Sequence, residues 1–173
     1  GRAPGTVRPR ARGRGQNAAM TSTADDAVRL RAATQADITS VVALCKISLT
    51  KTYGAFMDPE RMRPWTDGTE VEDYVARMWR RMTVATRDEQ VVGVVALDDA
   101  VIDLIWVKDG LRGQGIGSAL MDHAERTLGA DHDEAELECF APNLASLIFY
   151  RAHGYAEVRR YYEAASGIDK VVL

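Results

Sequence analysis

The chain has 173 residues but only two cysteines, three histidines and five prolines, and these scarcities exclude several classes. Cys45 and Cys139 lie far apart, with no His or Cys beside either at metal-ligand spacing. Neither a disulfide framework nor a structural zinc site is encoded, so no metal is expected, and both read as reduced, buried thiols of a cytoplasmic protein. No apolar run approaches the ~18–20 residues of a membrane span, and the first apolar-rich region is broken by charges and lacks a cleavage-site pattern. No internal repeat is present. What remains, 46% hydrophobic and 27% charged residues, suits one globular domain with a sizeable core.

Charge of one sign is missing from the first 19 residues, GRAPGTVRPRARGRGQNAA, which hold five arginines and no acid. Without a periodic apolar pattern, residues 1–27 read as a disordered basic leader, left by cloning or by translation upstream of a natural start at Met20. The alternative is an arm for nucleic acid or acidic lipid. Setting those five aside leaves 17 basic against 25 acidic residues over 20–173, a net charge of −8, so this remainder is no nucleic-acid-binding core.

Alternation in AVRLRAAT (27–34) predicts a strand, and Thr34 with Asp37 a capping box opening a helix to about Thr50. Residues 52–68, with Gly54, Pro59, Pro64 and Gly68, read as an irregular loop with at most one helical turn. Thr69 and Glu72 suggest a second capping box and a helix to about Met82, with Tyr74, Met78 and Trp79 as apolar contacts. Three β-rich runs at 83–87, 91–97 and 101–107, joined by short polar turns, form an antiparallel meander. Then come a helix (116–130), a strand (134–140), a short helix (143–154) and a last hairpin around Ala165-Ser166-Gly167. The class is α/β (α+β), in the order β-α-α-β-β-β-α-β-α-β-β.

Between the meander and the next helix stands VKDGLRGQGIGSALM (107–121), with glycines at 113, 115 and 117 beside Arg112. Unpaired N–H groups and the dipole at a helix N-terminus favour an anion, and glycines let a phosphate approach them. Arg112 adds a forked cationic donor. A tight strand-to-helix turn with no ligand is the competing reading. A Walker A loop would need a lysine before Ser118, and a dinucleotide fold needs a βαβ series where this chain has a meander.

Arg112-Gly113-Gln114-Gly115-Ile116-Gly117 resembles the Arg/Gln-x-x-Gly-x-Gly/Ala signature of the GNAT superfamily of N-acetyltransferases. Asn143-Leu-Ala-Ser-Leu-Ile-Phe-Tyr150-Arg-Ala-His-Gly154-Tyr155 is similar to its second signature, with Ser146 and Tyr155 where the family often has alanine and phenylalanine. The resemblance extends from about 28 to 173. It implies a mixed, mainly antiparallel central sheet flanked by helices. It also implies transfer of an acetyl group from acetyl-CoA to a primary amine of a small molecule or peptide by direct attack. The backbone of 111–118, including Arg112, Gly113, Gln114, Gly115, Ile116, Gly117 and Ser118, would hold the CoA pyrophosphate. Ile105 and Val107 would offer backbone hydrogen bonds to pantetheine, Asn143 would steady the cofactor and the mouth of the following helix, and Tyr150 would lie near its sulfur.

An amine of pKa near ~10.4 must lose a proton before it attacks. Asp103, four places before Val107 and so expected on one face with it and Ile105, is the first candidate base; Glu138, which shares a face with Glu136, is the second. Both could instead be solvated or ion-paired. Tyr150 is the candidate proton donor to the departing thiolate, and the N–H near Trp106 or Val107 the candidate carbonyl-oxygen donor. His123 and His153 read as surface or helix-end residues. Tyr53, Phe56 and Trp65 lie in the segment that covers the acceptor in this family. With Asp58, Glu60, Asp67, Glu70, Glu72 and Asp73 they suit a cationic acceptor, unless these acids are merely a solvated helix start. Other readings are a ribosomal-protein N-terminal acetyltransferase, disfavoured by Phe140 where arginine is usual, and a non-catalytic CoA-binding or sensory module. A homodimer through the apolar terminal hairpin is compatible with the sequence, and a membrane is not an expected partner.

Overall fold

Three non-glycine residues at positive φ, Asp88 (50°), Glu89 (59°) and Asp99 (55°), make the two turns of the meander. They join β2 (Met82–Arg87), β3 (Gln90–Asp98) and β4 (Val101–Val107), and short polar side chains tolerate that backbone better than branched ones. The computed structural model describes residues 27–173, so almost all of the basic leader lies outside the described residues. Strand β1 (Arg29–Ala32) pairs with β2, giving a four-stranded antiparallel sheet in the order β1-β2-β3-β4. A second sheet, β5-β7-β6, holds β5 (Glu138–Phe140), β7 (Ile168–Val172) and β6 (Arg159–Glu163). One parallel bridge, Val101 with Glu136, joins the two sheets.

Helices cover both faces. α1 (Ile38–Tyr53), α2 (Pro59–Thr66) and α3 (Glu70–Met78) pack on one, around Val41, Val75, Val84 and Val94. α4 (Ile116–Leu128) and α5 (Leu144–Ala152) cover the other, around Leu120, Met121, Val95 and Val171. Cys45 and Cys139 are both buried free thiols, and burial pushes each thiol up to about 12. None of the described helices is long and apolar enough to cross a membrane.

Two details of β3 and β4 set the rest. Their register shifts between Ala96 and Leu97: Ala96 faces Leu104 and Leu97 faces Ile102, so Asp103 is the extra residue of a β-bulge. Strict alternation would put Ile102 and Leu104 on one face; here Ile102 joins the α4 side and Leu104 packs on the α1 side. The second detail is Gly93. A Cβ there would come within 2.9 Å of Leu120 Cδ1, 3.1 Å of Ile116 Cγ2 and 3.2 Å of the Trp106 carbonyl oxygen, so α4 lies directly on the β3 backbone.

Two expectations are corrected. Segment 52–68 contains a full helix, α2, because the Asp58 carboxylate accepts the Glu60 N–H at 2.8 Å and Pro59 sits at the first helical position, where its missing N–H costs nothing. The capping box of Thr69 and Glu72 does not form. Thr69 Oγ1 donates to Asp73 at 2.8 Å, while Glu72 is drawn to Lys46 at 2.5 Å.

The box at Thr34 and Asp37 is stronger than its sequence suggests. The Asp37 carboxylate, 7% exposed, accepts the Thr34 N–H (2.7 Å), the Thr34 hydroxyl (2.8 Å) and both arms of the Arg31 guanidinium (2.7 and 2.8 Å). Arg31 and these donors hold the carboxyl far below the usual carboxylate range. A depressed folded pKa stabilises fully above the unfolded value near ~3.9 and loses that contribution as pH falls further. Asp37→Asn is therefore expected to cost about 2 kcal/mol at neutral pH. Urea unfolding from pH 7 down to pH 3 should show the variant losing less stability than the parent; parallel curves would refute the linkage.

Candidate active site

The glycine loop answers its sequence. Gly113 and Gly115 have φ of 76° and 83°, a left-handed backbone that other L residues adopt only under strain, and Gly115 caps α4. A Cβ on either would meet nothing within 4 Å, so both face open space. The first N–H groups of α4 therefore point outward behind a rim without side chains, which is the arrangement an anion needs. Arg112 stands beside it, with its guanidinium donating to Thr52 Oγ1 at 3.1 Å.

Behind the loop is a cavity of about 550 Å³. Ile105, Trp106 and Val107 form one wall; Arg112, Gly113, Gly115, Gly117 and Ser118 the mouth; and Ala145, Ser146, Phe149 and Tyr150 of α5 the other wall. The cavity exists because β4 and β5 separate. Ile102 N–H donates to the Glu136 carbonyl (2.9 Å) and Glu136 N–H to the Ala100 carbonyl (3.0 Å); beyond that bridge, among the described residues, β5 pairs only with β7. Lys108 N–H donates to the Val92 carbonyl, so in this register Trp106 also bonds across to β3, and the backbone groups of Ile105 and Val107 point into the opening. That leaves Val107, not Trp106, as the free N–H of the pair.

Tyr150, 9% exposed, has no hydrogen-bond partner for its hydroxyl among the described residues. Burial, with Cys139, Tyr53 and Tyr155 adding to it, pushes the phenol well above its ordinary value, so it stays protonated far into the alkaline range.

On the opposite side of β4 is a second cavity of about 520 Å³, which shares Trp106 with the first. Tyr53, Trp65, Tyr74, Trp106 and Phe140 give it aromatic walls, and Glu70, Asp73 and Asp103 give it carboxylates. Tyr53 packs 5.5 Å from Trp106 and edge-on to Phe140 at 4.9 Å, centroid to centroid. The Tyr74 hydroxyl donates to Asp103 Oδ2 at 2.5 Å; burial and that carboxylate raise the Tyr74 phenol.

Several expected positions are corrected. Asp103 does not share a face with Ile105 and Val107: the bulge turns it to Tyr74 in the second cavity. Glu138 is taken by the Tyr161 hydroxyl at 2.9 Å to both oxygens and by Lys170 at 3.4 Å, and Glu136 lines a cleft with Glu134 and Tyr155 on another side. The Gln114 side chain lies outside the first cavity, bonded to Arg87 and the Gly110 carbonyl, and the Ile116 side chain is 1% exposed in the core, so these two residues offer that cavity backbone alone, as expected for 111–118. Asn143 caps α5 through Ser146 N–H at 3.4 Å, as expected for the mouth of that helix, but does not itself line the cavity. Phe56 backs Tyr53 and Phe140 without lining the second cavity. Of the acids, Asp58 caps α2, Glu60 and Asp67 pair with Arg63, and Glu72 pairs with Lys46, so the plain structural reading holds for those four.

Sequence reasoning missed Thr52, Phe149, Tyr74, Arg77 and Lys170. The last two carried no signal, but Tyr74 lies four residues after Glu70, on the same helical stripe. His153 is not a plain helix end: its Nε2 lies 3.2 Å from Ser118 Oγ and its ring packs 4.6 Å from Phe149, both on the first cavity. With Asp122 and Glu125 it brings three metal-capable atoms within 4.8 Å of one another, a grouping invisible to sequence spacing because α4 and the end of α5 supply it jointly.

Residues 49–155 match the acetyltransferase (GNAT) family. Nothing among the curated proteins matches the chain. Solved structures are similar in fold. The apo form of YjaB from Escherichia coli is 21% identical with a TM-score of 0.67, covering 84% of this chain and 95% of its own. The PaiA N-acetyltransferase of Thermoplasma acidophilum, in complex with coenzyme A, is 15% identical with a TM-score of 0.69, covering 84% and 98%. A GCN5-related N-acetyltransferase from Rhodopseudomonas palustris is 20% identical with a TM-score of 0.69, covering 85% and 94%.

The glycines separate by experiment. Gly115→Ala must hold alanine at positive φ and is expected to destabilise by about 1–2 kcal/mol. Gly117 is helical, and its Cβ would make only ordinary contacts of 3.5 Å with Phe149 and 3.7 Å with Val107. Gly117→Ala should therefore leave stability unchanged or raise it by up to about 1 kcal/mol. Chemical denaturation reads both; a large loss for Gly117→Ala would show that its space serves the fold.

Proposed function

Because the chain belongs to the GNAT family of acetyltransferases, we propose that it transfers an acetyl group from acetyl-CoA to a primary amine by direct attack within one ternary complex. The observation that carries the proposal is the meeting of two cavities across β4. One has a side-chain-free anion mouth, the other has aromatic walls and carboxylates, and Trp106 borders both.

The chain's own groups fit a CoA-type donor. Open space above Gly113 and Gly115 lets a pyrophosphate reach the α4 N–H groups, and Arg112 adds the cation. The free backbone groups of Ile105 and Val107 suit the amides of a pantetheine arm descending between β4 and α5. Bound acetyl-CoA supplies the acetyl thioester. Asp103, held by Tyr74, accepts a proton from the incoming ammonium, through water where the amine is out of direct reach. Tyr150 keeps a proton at Oη for the sulfur released when nitrogen displaces it, and burial keeps that proton in place at neutral pH. The Val107 N–H is the available backbone donor to the carbonyl oxygen.

With acetyl-CoA at about 100 times its Kd, linkage predicts roughly 2.7 kcal/mol of stabilisation, a rise in Tm of about 5–10 °C. Gly117→Ala should reduce that shift, since its methyl would enter the mouth of the donor cavity. No shift at saturating ligand would sink the transferase reading, while a shift without thiol release on addition of any amine would favour a binding module.

Tyr150→Phe is expected to lower kcat on the order of 100-fold or more with acetyl-CoA affinity unchanged. The parent's kcat should not fall as pH rises to about 10, the ordinary phenol range, because burial raises this phenol above it. Unchanged kcat in the variant, or a parent rate that drops below pH 10, would remove Tyr150 from the mechanism.

A further inference from the structure

We infer that the acceptor is a small dication, a primary amine joined by a short apolar chain to a second positive group that remains charged during the reaction. This rests on the transferase reading above and specifies its acceptor cavity.

The charges around that cavity are unbalanced. Glu70, Asp73 and Asp103 line it with Arg77 and Lys170. Lys170 is already committed to Glu163 (2.7 Å) and Glu138 (3.4 Å), and those carboxylates raise its pKa against the opposing effect of burial. Glu163 and Glu138, outside the lining, thus neutralise Lys170 and leave three lining carboxylates against Arg77, an excess of two that a neutral or singly charged acceptor leaves uncompensated. Arg77 does not reverse the sign: it lies two helical turns from Glu70, is exposed, and rests over the Tyr74 ring at 5.7 Å.

Position divides the carboxylates into two roles. The donor's reactive end descends β4 from Val107 past Ile105 toward Asp103, so the attacking amine belongs with Asp103 and Tyr74. Glu70, Asp73, Tyr74 and Arg77 form one stripe of α3, because residues three and four apart in a helix share a face. Glu70 therefore stands one turn from Tyr74, about 6 Å along the axis, the reach of a short alkylene chain. Trp65 and Tyr53, between these carboxylates and the core, offer that chain apolar contact and its far charge aromatic faces. The attacking amine must become neutral, so it cannot be the group that Glu70 and Asp73 hold; that group is a second cation. Glu70, Asp73 and Asp103 line this cavity of about 520 Å³ from its solvent-exposed side, and its volume suits a free small molecule.

Three amines of similar chain length test this: cadaverine, whose far end is positive, pentylamine, whose far end is neutral, and ε-aminocaproate, whose far end is negative. Thiol release from acetyl-CoA should give kcat/KM falling in that order, with at least about tenfold, ~1.4 kcal/mol, between first and last. The double variant Glu70→Gln/Asp73→Asn should raise KM for cadaverine about tenfold with little change for pentylamine, after a Tm check that it folds. Equal kcat/KM for all three would overturn the inference. Preference for ε-aminocaproate would overturn it in favour of a carboxylate read by Arg77, and a lysine-containing peptide outperforming cadaverine would overturn the small-molecule assignment. If acetyl-CoA neither binds nor reacts, the transferase reading fails and takes this one with it. If acetyl-CoA binds but the amines show no discrimination by charge, only this inference fails.

Discussion

After the pair of hydrogen bonds linking Ile102, Glu136 and Ala100, β4 and β5 go separate ways. Every feature of the candidate site follows from that parting. A sheet that kept pairing would consume the N–H and C=O groups of Ile105 and Val107; one that never paired would leave the two halves without a fixed angle. Stopping after one bridge leaves polar backbone on an internal wall, where it must find water or a ligand. The Glu138–Val172 and Phe140–Lys170 pairs keep β5 anchored to β7, so the opening is held from both sides by complete ladders.

The bulge in β4 supplies the complementary constraint. One strand has to serve two cavities, and a regular ladder would allot its side chains by strict alternation. With Asp103 as the extra residue, the strand presents Asp103, Leu104 and Trp106 toward α1 and α3 while Ile105 and Val107 face α4 and α5. A carboxylate and an aromatic ring thus reach the acceptor side without removing the aliphatic contacts that keep α4 in place. The same α4 presents its N-terminal N–H groups at the mouth of the opening while Ile116 in that first turn packs against the sheet.

How much of this was legible in the sequence depended on the range of the interactions. Alternation and turn chemistry are local, and the three meander strands were placed within a residue or so, with β4 identical in both ends. The glycine pattern and the asparagine-to-tyrosine segment marked the first cavity, because left-handed backbone and a helix N-terminus are written in consecutive residues. Asp103 was named but given the wrong face, since a bulge arises from a mismatch between two strands and neither strand alone records it. Glu138 lost its candidacy to Tyr161 and Lys170, more than twenty residues away in sequence. Helix α2 was concealed by Pro64, which as a rule ends a helix but is accommodated in this short one. The second cavity was half visible: its aromatics and acids were marked, but which acids lined it depended on Arg63 and Lys46 claiming the others.

Gly93 ties these parts together from below. With no side chain there, α4 settles onto β3 at the distance set by Leu120 and Ile116. A methyl group at that point would act as a wedge beneath the helix, and the easiest relief is a tilt of its first turn. That turn also carries the N–H groups of the proposed anion mouth. A change in the middle of the sheet, touching no ligand, would then surface as weakened grip at the rim with the sheet itself still closed. On the proposed function, position 93 would thus tune affinity from a packing position.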